Sequence, residues 1–443
     1  MNTAIASQLS NRPINWPAPE DESVPEPTEM SWGNRLARRL LLQMLQGLNG
    51  GTIQLVDSSG STTLGQGGNL QSNMYIHNPA FFRDAVLGGS LSVAESYLRG
   101  DWDCDDLTAF FRIFVRNIES TDQLDRGLSR IAKWANRMYH RWHANSKSGS
   151  RRNIHAHYDL GNEFFRLMLD DTLTYSSGIF LSPASTLRDA SLEKMDRICR
   201  KLDLRPTDHL LEIGTGWGGL AIHAATQFGC RVTTTTISQQ QFDIARERID
   251  EAGLSDRVTL LLEDYRDLRG QFDKLVSVEM IEAVGYRYYD IYFRKCSELL
   301  KPDGTFVLQA IVMPDRRYAQ YLKSVDFIQR YVFPGGCLPS VSAMLDSMSR
   351  VTDLRFVHAE DFGTHYARTL REWRQRFQQR LNDVRGLGFP DRFIRMWNYY
   401  LSYCEAAFDE RFTGVVQMQF DKARCRRDPI EVGQRAAAAW RSA

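Results

Sequence analysis

Through the middle of the chain, hydrophobic and polar positions switch between two periods. Leu210-Leu211-Glu212-Ile213 reads as a short buried strand, Gly214, Gly216, Gly218 and Gly219 interrupt it, and Leu220 to Phe228 is apolar at helical spacing. Arg231 to Thr236 is β-branched enough for a second strand. The alternation continues through RVTLLLED, FDKLVSV, a helix from Tyr288 to Leu300 and a strand from Thr305 to Ile311. It predicts a doubly wound α/β sheet with its ligand at the strand C-termini. Beyond Met313 the pattern lapses into a helical insertion containing DFIQRYVFPGGCLPS, expected to form a substrate lid. A strand near Leu354 to His358, helices over about 366–382 and 390–409, and a last strand VVQMQF complete it.

The N-terminal pattern is different. Five prolines between positions 11 and 30, among Asp and Glu, predict a disordered tail. Trp32 to Leu48 reads as a basic amphipathic helix with Leu36, Leu40, Leu41 and Leu45 on one side. TIQLVD, a turn at Ser58 to Ser61 and TTL predict a hairpin, followed by a strand near Met74-Tyr75-Ile76. Pro79 to Leu87 and Asp105 to Val115 read as helices separated by GGSLSVAESYLRGDWD. Together these pieces predict a small α+β module.

Composition narrows the class. With 443 residues, 43% hydrophobic and 25% charged, two domains with a sizeable core are expected. No run of 18 uncharged apolar residues exists and the N-terminus lacks a signal-peptide pattern, so a cytoplasmic protein is expected. Seven cysteines without a secretory signal predict reduced thiols, and no C-x-x-C or H-E-x-x-H suggests a metal. The net charge of +1 conceals one asymmetry. Arg126, Arg130, Lys133, Arg137 and Arg141 recur at helical steps, with Lys147, Arg151 and Arg152 after them and no acid between. Beside Leu128, Ile131, Met138 and Trp142 they predict either a helix lying on an anionic membrane surface or a solvated bridge between domains. No nucleic-acid-binding motif accompanies this charge.

The glycine turn decides the cofactor class. G-T-G-W-G-G is not the G-x-G-x-x-G of dinucleotide sites, and Thr235-Thr236 ends the second strand where they carry an acid. Glu212, just before the turn, resembles motif I of S-adenosylmethionine-dependent methyltransferases, a carboxylate placed near the sulfonium and amino cations.

Eight stretches (YDLGNEFF, LTYSSGIF, LLEIGTGWGG, TISQQQ, LEDYRDL, SVEMIEAVG, YVFPGGCLPS and YYLSYCEAAF) stand in the order seen in cyclopropane-fatty-acyl-phospholipid synthases. GGSLSVAESYLRGDWDCDDL also resembles the accessory domain of their phospholipid-acting members. The resemblance implies a class I, Rossmann-like methyltransferase sheet with a helical insertion over residues 153–425. Ahead of it would stand a lipid-binding accessory module over 31–120 and a basic helix and linker over 121–152, with tails at 1–30 and 426–443. It implies transfer of a methylene from S-adenosylmethionine to a cis double bond of an unsaturated phospholipid acyl chain, at the inner face of a membrane. Tyr175, Ser176, Glu212, Gly214, Gly216, Gly218, Thr236, Gln241, Asp264 and Tyr265 would hold the co-substrate. Glu282 and Tyr331, with the Ile311 backbone, would hold a bicarbonate base, and Cys404 matches the cysteine regarded as catalytic in the family. That thiol is expected to line the pocket, because nothing in the reaction needs a covalent thiol. Dimerisation is known in phospholipid-acting relatives, although no interface signature is visible here.

Two positions depart from the family. Ser177 stands where it usually has Cys, and Gln309 where it usually has His. Both border the expected bicarbonate site, and Gln cannot become a cation, so an anion there loses charge assistance. The departures keep open a second product, a methyl-branched or exomethylene chain. A fold-retaining membrane protein without catalysis is a further alternative, as is a methyltransferase for small molecules or nucleic acid.

Overall fold

The computed structural model describes residues 30–118 and 160–427. The proline-rich tail, the basic run of residues 126–152, the cluster His157-Tyr158-Asp159 and residues 428–443 lie outside them.

The first described segment runs α1 (Trp32–Leu45), β1 (Asn49–Asp57), β2 (Gly60–Leu64), β3 (Gln66–Ile76), α2 (Ala80–Arg99), β4 (Trp102–Cys104) and α3 (Leu107–Arg116). Its four strands form one sheet in the order β2-β1-β3-β4. Two expectations are corrected. The helix expected to stop near Leu87 runs on to Arg99 through the GGSLSVAESYL stretch, because Gly89 takes a kink (φ 63°, ψ −154°) instead of a break. In α1 the buried stripe is Ala37, Leu41 and Leu45, while Leu36 and Leu40 face outward with Trp32 and Met44. The helix therefore has a second apolar face.

The second segment carries α4 (Asn162–Met168), α5 (Leu187–Leu202), β5 (His209–Ile213), α6 (Gly219–Phe228), β6 (Arg231–Thr236), α7 (Gln239–Glu251), β7 (Val258–Leu262), β8 (Phe272–Val278), α8 (Tyr289–Leu299) and β9 (Leu300–Val312). After β9 come α9 (Asp315–Tyr321), a π-turn (Ile328–Val332), α10 (Val341–Val351), β10 (Arg355–Asp361), α11 (Gly363–Gln379), α12 (Leu381–Gly386), α13 (Asp391–Asp409) and β11 (Gly414–Asp421). The seven strands order as β10-β11-β9-β8-β5-β6-β7. From β9 to β7 neighbours are parallel, and β11 enters antiparallel beside β9. Strand order reverses beside β5, the crevice where such sheets bind ligands. Helix α5 starts at Leu187, where Thr186 and Asp189 form a capping box.

The two segments share one core. Arg395 on α13 donates to the carbonyls of Tyr97 (2.6 Å) and Trp102 (2.8 Å), and Arg112 pairs with Glu410 at 2.7 Å. Phe111 packs edge-on to Tyr399 at 4.8 Å. Helix α13 thus presents one side to the N-terminal module and packs another against α11. All seven cysteines are free. Among the described residues, no helix is long and apolar enough to cross a membrane.

Candidate active site

A cavity of about 370 Å³ opens over the C-terminal ends of β5, β6 and β8, walled on its far side by residues 326–338 and by α13. The turn after β5 is held by the N–H groups of Gly214 and Thr215, which both donate to Thr235 O (3.1 and 3.0 Å). Gly214 and Gly216 have φ of 104° and 53°, a region where only glycine is unstrained. A Cβ at Gly219 would lie 2.8 Å from Thr172 O, so the helix start needs glycine for close approach.

Nine of the ten residues expected to hold the co-substrate line this cavity, Gly218 being the exception. Gly218 instead shapes the helix N-terminus at φ 85°, and a Cβ there would touch Ala245 at 3.4 Å. Glu212 is fully buried and accepts from Thr234 Oγ1 at 2.6 Å; burial pushes its carboxyl up to about 8, against the pull of Lys194. Thr236 Oγ1 donates to Gln241 Oε1 at 2.8 Å, which sets both side chains at the rim of β6. Asp264 accepts from the Arg266 guanidinium at 2.6 and 2.8 Å and from the Arg266 N–H at 3.0 Å, which fixes its carboxylate at the cavity wall. Tyr265 is braced edge-on by Tyr292 at 5.6 Å. Tyr175 stacks on Trp373 and shares a hydroxyl contact of 2.9 Å with Tyr400, while Ser176 Oγ accepts from the buried Lys194 at 2.9 Å. Burial lowers the Lys194 ammonium to about 8, and Glu279, Glu212 and Asp170 pull it back up.

The centre of the cavity is a pair of carboxylates just after β8. Glu279 Oε1 accepts from the Ser177 N–H (3.0 Å) and from Gln309 Nε2 (2.7 Å), and its Oε2 accepts from the Tyr366 hydroxyl (2.8 Å). Its backbone sits at φ 49°, unusual for a side chain with a Cβ, and is anchored by its N–H on Gln309 O at 2.8 Å. Glu282 Oε1 accepts from the Ile311 N–H at 2.5 Å, and its buried Oε2 has no partner among the described residues. Burial, and then the Glu279 charge, push the Glu282 carboxyl up to about 8. The Glu279 carboxyl is also raised by burial, but three hydrogen bonds and Lys194 oppose the shift. Three hydrogen bonds and Lys194 thus favour the charged form of Glu279, while burial and the neighbouring Glu279 favour the protonated form of Glu282.

These residues do not fit a bicarbonate ion. The donors at Ser177 and Gln309 already serve Glu279, and the Ile311 N–H serves Glu282. Tyr331 is turned away: its hydroxyl donates to Glu95 on α2 at 2.6 Å, and it does not line the cavity. Gln309 and Ser177 are fully buried behind Glu279 instead of facing open space. An anion placed there would lie beside two carboxyl groups, with the Ser177, Gln309 and Ile311 N–H donors already engaged.

Cys404 lines the cavity, and burial pushes its thiol far above the ordinary range, which leaves it without thiolate character. Sequence reasoning missed Glu279, Tyr366 and Lys194. Glu279 had a signal, since SVEMIEAVG places two carboxylates three residues apart beyond an apolar strand. Tyr366 and Lys194 had none, because they reach the site from helices far along the chain.

The description "Mycolic acid cyclopropane synthetase" matches residues 145–418. The chain is similar to the tuberculostearic acid methyltransferase of Mycobacterium tuberculosis, 39% identical over 87% of this chain and 89% of that protein. It is also similar to the cyclopropane-fatty-acyl-phospholipid synthase of Escherichia coli strain K12, 37% identical over 84% of this chain and 91% of that protein. Among solved structures, a mycolic acid cyclopropane synthase complexed with SAH and CTAB superposes with a TM-score of 0.58 at 29% identity, covering 61% of this chain and 98% of that one.

Proposed function

Because this chain belongs to the mycolic acid cyclopropane synthetase family of S-adenosylmethionine-dependent methyltransferases, we propose that it methylates the cis double bond of an unsaturated phospholipid acyl chain and closes a cyclopropane ring, with Glu279 as proton acceptor. The observation that carries this reading is the Glu279 carboxylate, fixed by three donors in the cavity. S-adenosylmethionine supplies the electrophilic methyl. The alkene π pair forms the new C–C bond as the S–CH3 bond breaks, leaving a cation on the adjacent carbon. Glu279 takes a proton from the transferred methyl, and that C–H pair closes the ring. The negative charge of Glu279 and the faces of Tyr400, Tyr403, Phe333 and Phe408 around the cavity stabilise the cation before the proton leaves. Glu212 and Ser176 would face the methionine part of the co-substrate, Thr236 and Gln241 the ribose, and Asp264 and Tyr265 the adenine. Binding of SAH by the related synthase supports this placement.

A second product is favoured by one relative. The tuberculostearic acid methyltransferase is as similar as the ring-forming enzymes, so a methyl-branched or exomethylene chain is the competing outcome. One experiment separates these readings. Purified protein is incubated with unsaturated liposomes and labelled S-adenosylmethionine, in bicarbonate-depleted and bicarbonate-supplemented buffer. Mass spectrometry and proton NMR of the lipid then distinguish a ring from an exomethylene of equal mass. Ring product formed equally in both buffers is expected. Noncyclic product alone would shift the assignment to the second reading, and strict bicarbonate dependence would remove Glu279 as the base.

The lipid substrate also points to peripheral contact with an anionic membrane. The basic run from Arg126 to Arg141 is one contributor, and the outward face of α1, with Trp32, Leu36, Leu40 and Met44 beside exposed Arg35 and Arg39, is another. Co-sedimentation with liposomes should strengthen as anionic lipid is added.

A further inference from the structure

Behind Glu279 a row of buried polar side chains crosses the sheet, and none of it touches the cavity except at its end. Gln309 Nε2 donates to Glu279 at 2.7 Å. Gln417 Nε2 donates to Gln309 Oε1 at 3.0 Å, and Lys201 Nζ donates to Gln417 Oε1 at 2.6 Å. Lys201 also donates to Glu360 at 2.7 Å, and Glu360 is paired with Arg197. The register of the sheet makes the row: Gln309 lies opposite Gln417, Gln417 opposite Glu360, and Val278, the residue before Glu279, opposite Gln309. Gln309 and Gln417 are both 0% exposed and Lys201 1%.

The direction of every bond in this row is forced from its two ends. Lys201 can only donate, so Gln417 must turn its oxygen to Lys201 and its N–H to Gln309. Gln309 must then accept on its oxygen, which leaves its own N–H for Glu279. An ionised Glu279 can only accept, so the two ends agree on one orientation of both carboxamides. Without Gln417, a Gln309 amide would be free to present its oxygen to Glu279 instead.

We infer that Gln417 and Lys201 are positioning residues that lock the Gln309 carboxamide with its N–H toward Glu279, and so keep that carboxylate hydrogen-bonded and aimed for proton removal. The inference rests on Glu279 as the base. Its test uses two substitutions at one position. Gln417→Glu keeps the shape and gives Lys201 a full ion pair, but a carboxylate cannot donate to Gln309. The Gln309 amide must then turn over, and its oxygen meets Glu279. Gln417→Met breaks the lock without reversing it, and leaves Lys201 only Glu360.

The expected order of kcat is wild type, then Gln417→Met, then Gln417→Glu, with the last reduced about ten- to a hundredfold, the loss of a hydrogen bond to a charged group. KM for S-adenosylmethionine should stay within about threefold in both variants. The expected order of thermal stability is the reverse for the variants, Gln417→Glu above Gln417→Met. A residue that merely holds the sheet together would make kcat follow stability, so Gln417→Met as the less active variant overturns the inference. So does a Gln417→Glu enzyme with wild-type kcat. Failure of the base assignment is read separately, in a Glu279→Gln enzyme that keeps its turnover.

Discussion

Replacing Glu279 by glutamine removes the charge and the proton-accepting lone pair while leaving volume and hydrogen bonding almost intact. The amide oxygen would take over the contacts with the Ser177 N–H and Gln309 Nε2, now at 3.0 and 2.7 Å, and the amide NH2 would face the Tyr366 hydroxyl, which can turn to accept. Folding should therefore survive, and the loss should be chemical. A positioned general base is worth about 10²–10⁴-fold in rate, or about 2.7–5.4 kcal/mol of barrier. The assay is single-turnover transfer of labelled methyl into unsaturated liposomes, with S-adenosylmethionine affinity measured by calorimetry. Turnover should fall by about 10²–10⁴ and affinity by no more than a few-fold. Glu279→Gly would empty the position without backbone strain, since φ 49° suits glycine, and added formate or bicarbonate should then restore part of the rate. A Glu279→Gln enzyme within threefold of wild type, or wild-type turnover that vanishes on bicarbonate depletion, would refute the reasoning.

Three further outcomes are expected. Glu282 has its carboxyl raised from 4.5 to about 8 in the folded chain. The unfolded chain thus releases this proton first, and stability from this group is full below about pH 4.5, falls as pH rises toward 8, and is constant above; Glu282→Gln should flatten the decline of Tm between pH 5 and 8, leaving the similar share of Glu212. Cys404→Ala should keep turnover within a few-fold, and the wild-type thiol should resist iodoacetamide at pH 8, because burial keeps it protonated. Tyr331→Phe breaks the 2.6 Å bond to Glu95, so Tm should drop by the few degrees that about 1–2 kcal/mol produces, with calorimetric S-adenosylmethionine affinity unchanged.

How far the site was legible depended on whether a residue's partners lay near it in sequence. The strand, glycine turn and helix from Leu210 to Phe228 could be read because periodicity and glycine positions are local properties. Ser177 and Gln309 were visible as departures, but their meaning was hidden: each bonds Glu279, 102 and 30 residues away. Tyr331 was misplaced because its partner, Glu95, is 236 residues distant on the N-terminal module. The outward Leu36 and Leu40 were misassigned since α1 has apolar residues on two faces, and only packing against α2 decides which is buried.

The backbone at Glu279 has a consequence for how such a site is kept over generations. A left-handed conformation at a residue with a Cβ costs of order 1–3 kcal/mol, and a buried carboxylate adds its own desolvation. Glycine at this position would relieve both, so Glu279→Gly, with formate supplied to accept from the stranded Ser177, Gln309 and Tyr366 donors, should melt near the wild-type temperature while losing turnover. Selection for stability alone would discard the glutamate. Its presence marks the position where the chain is held against its own folding preference by the reaction it performs.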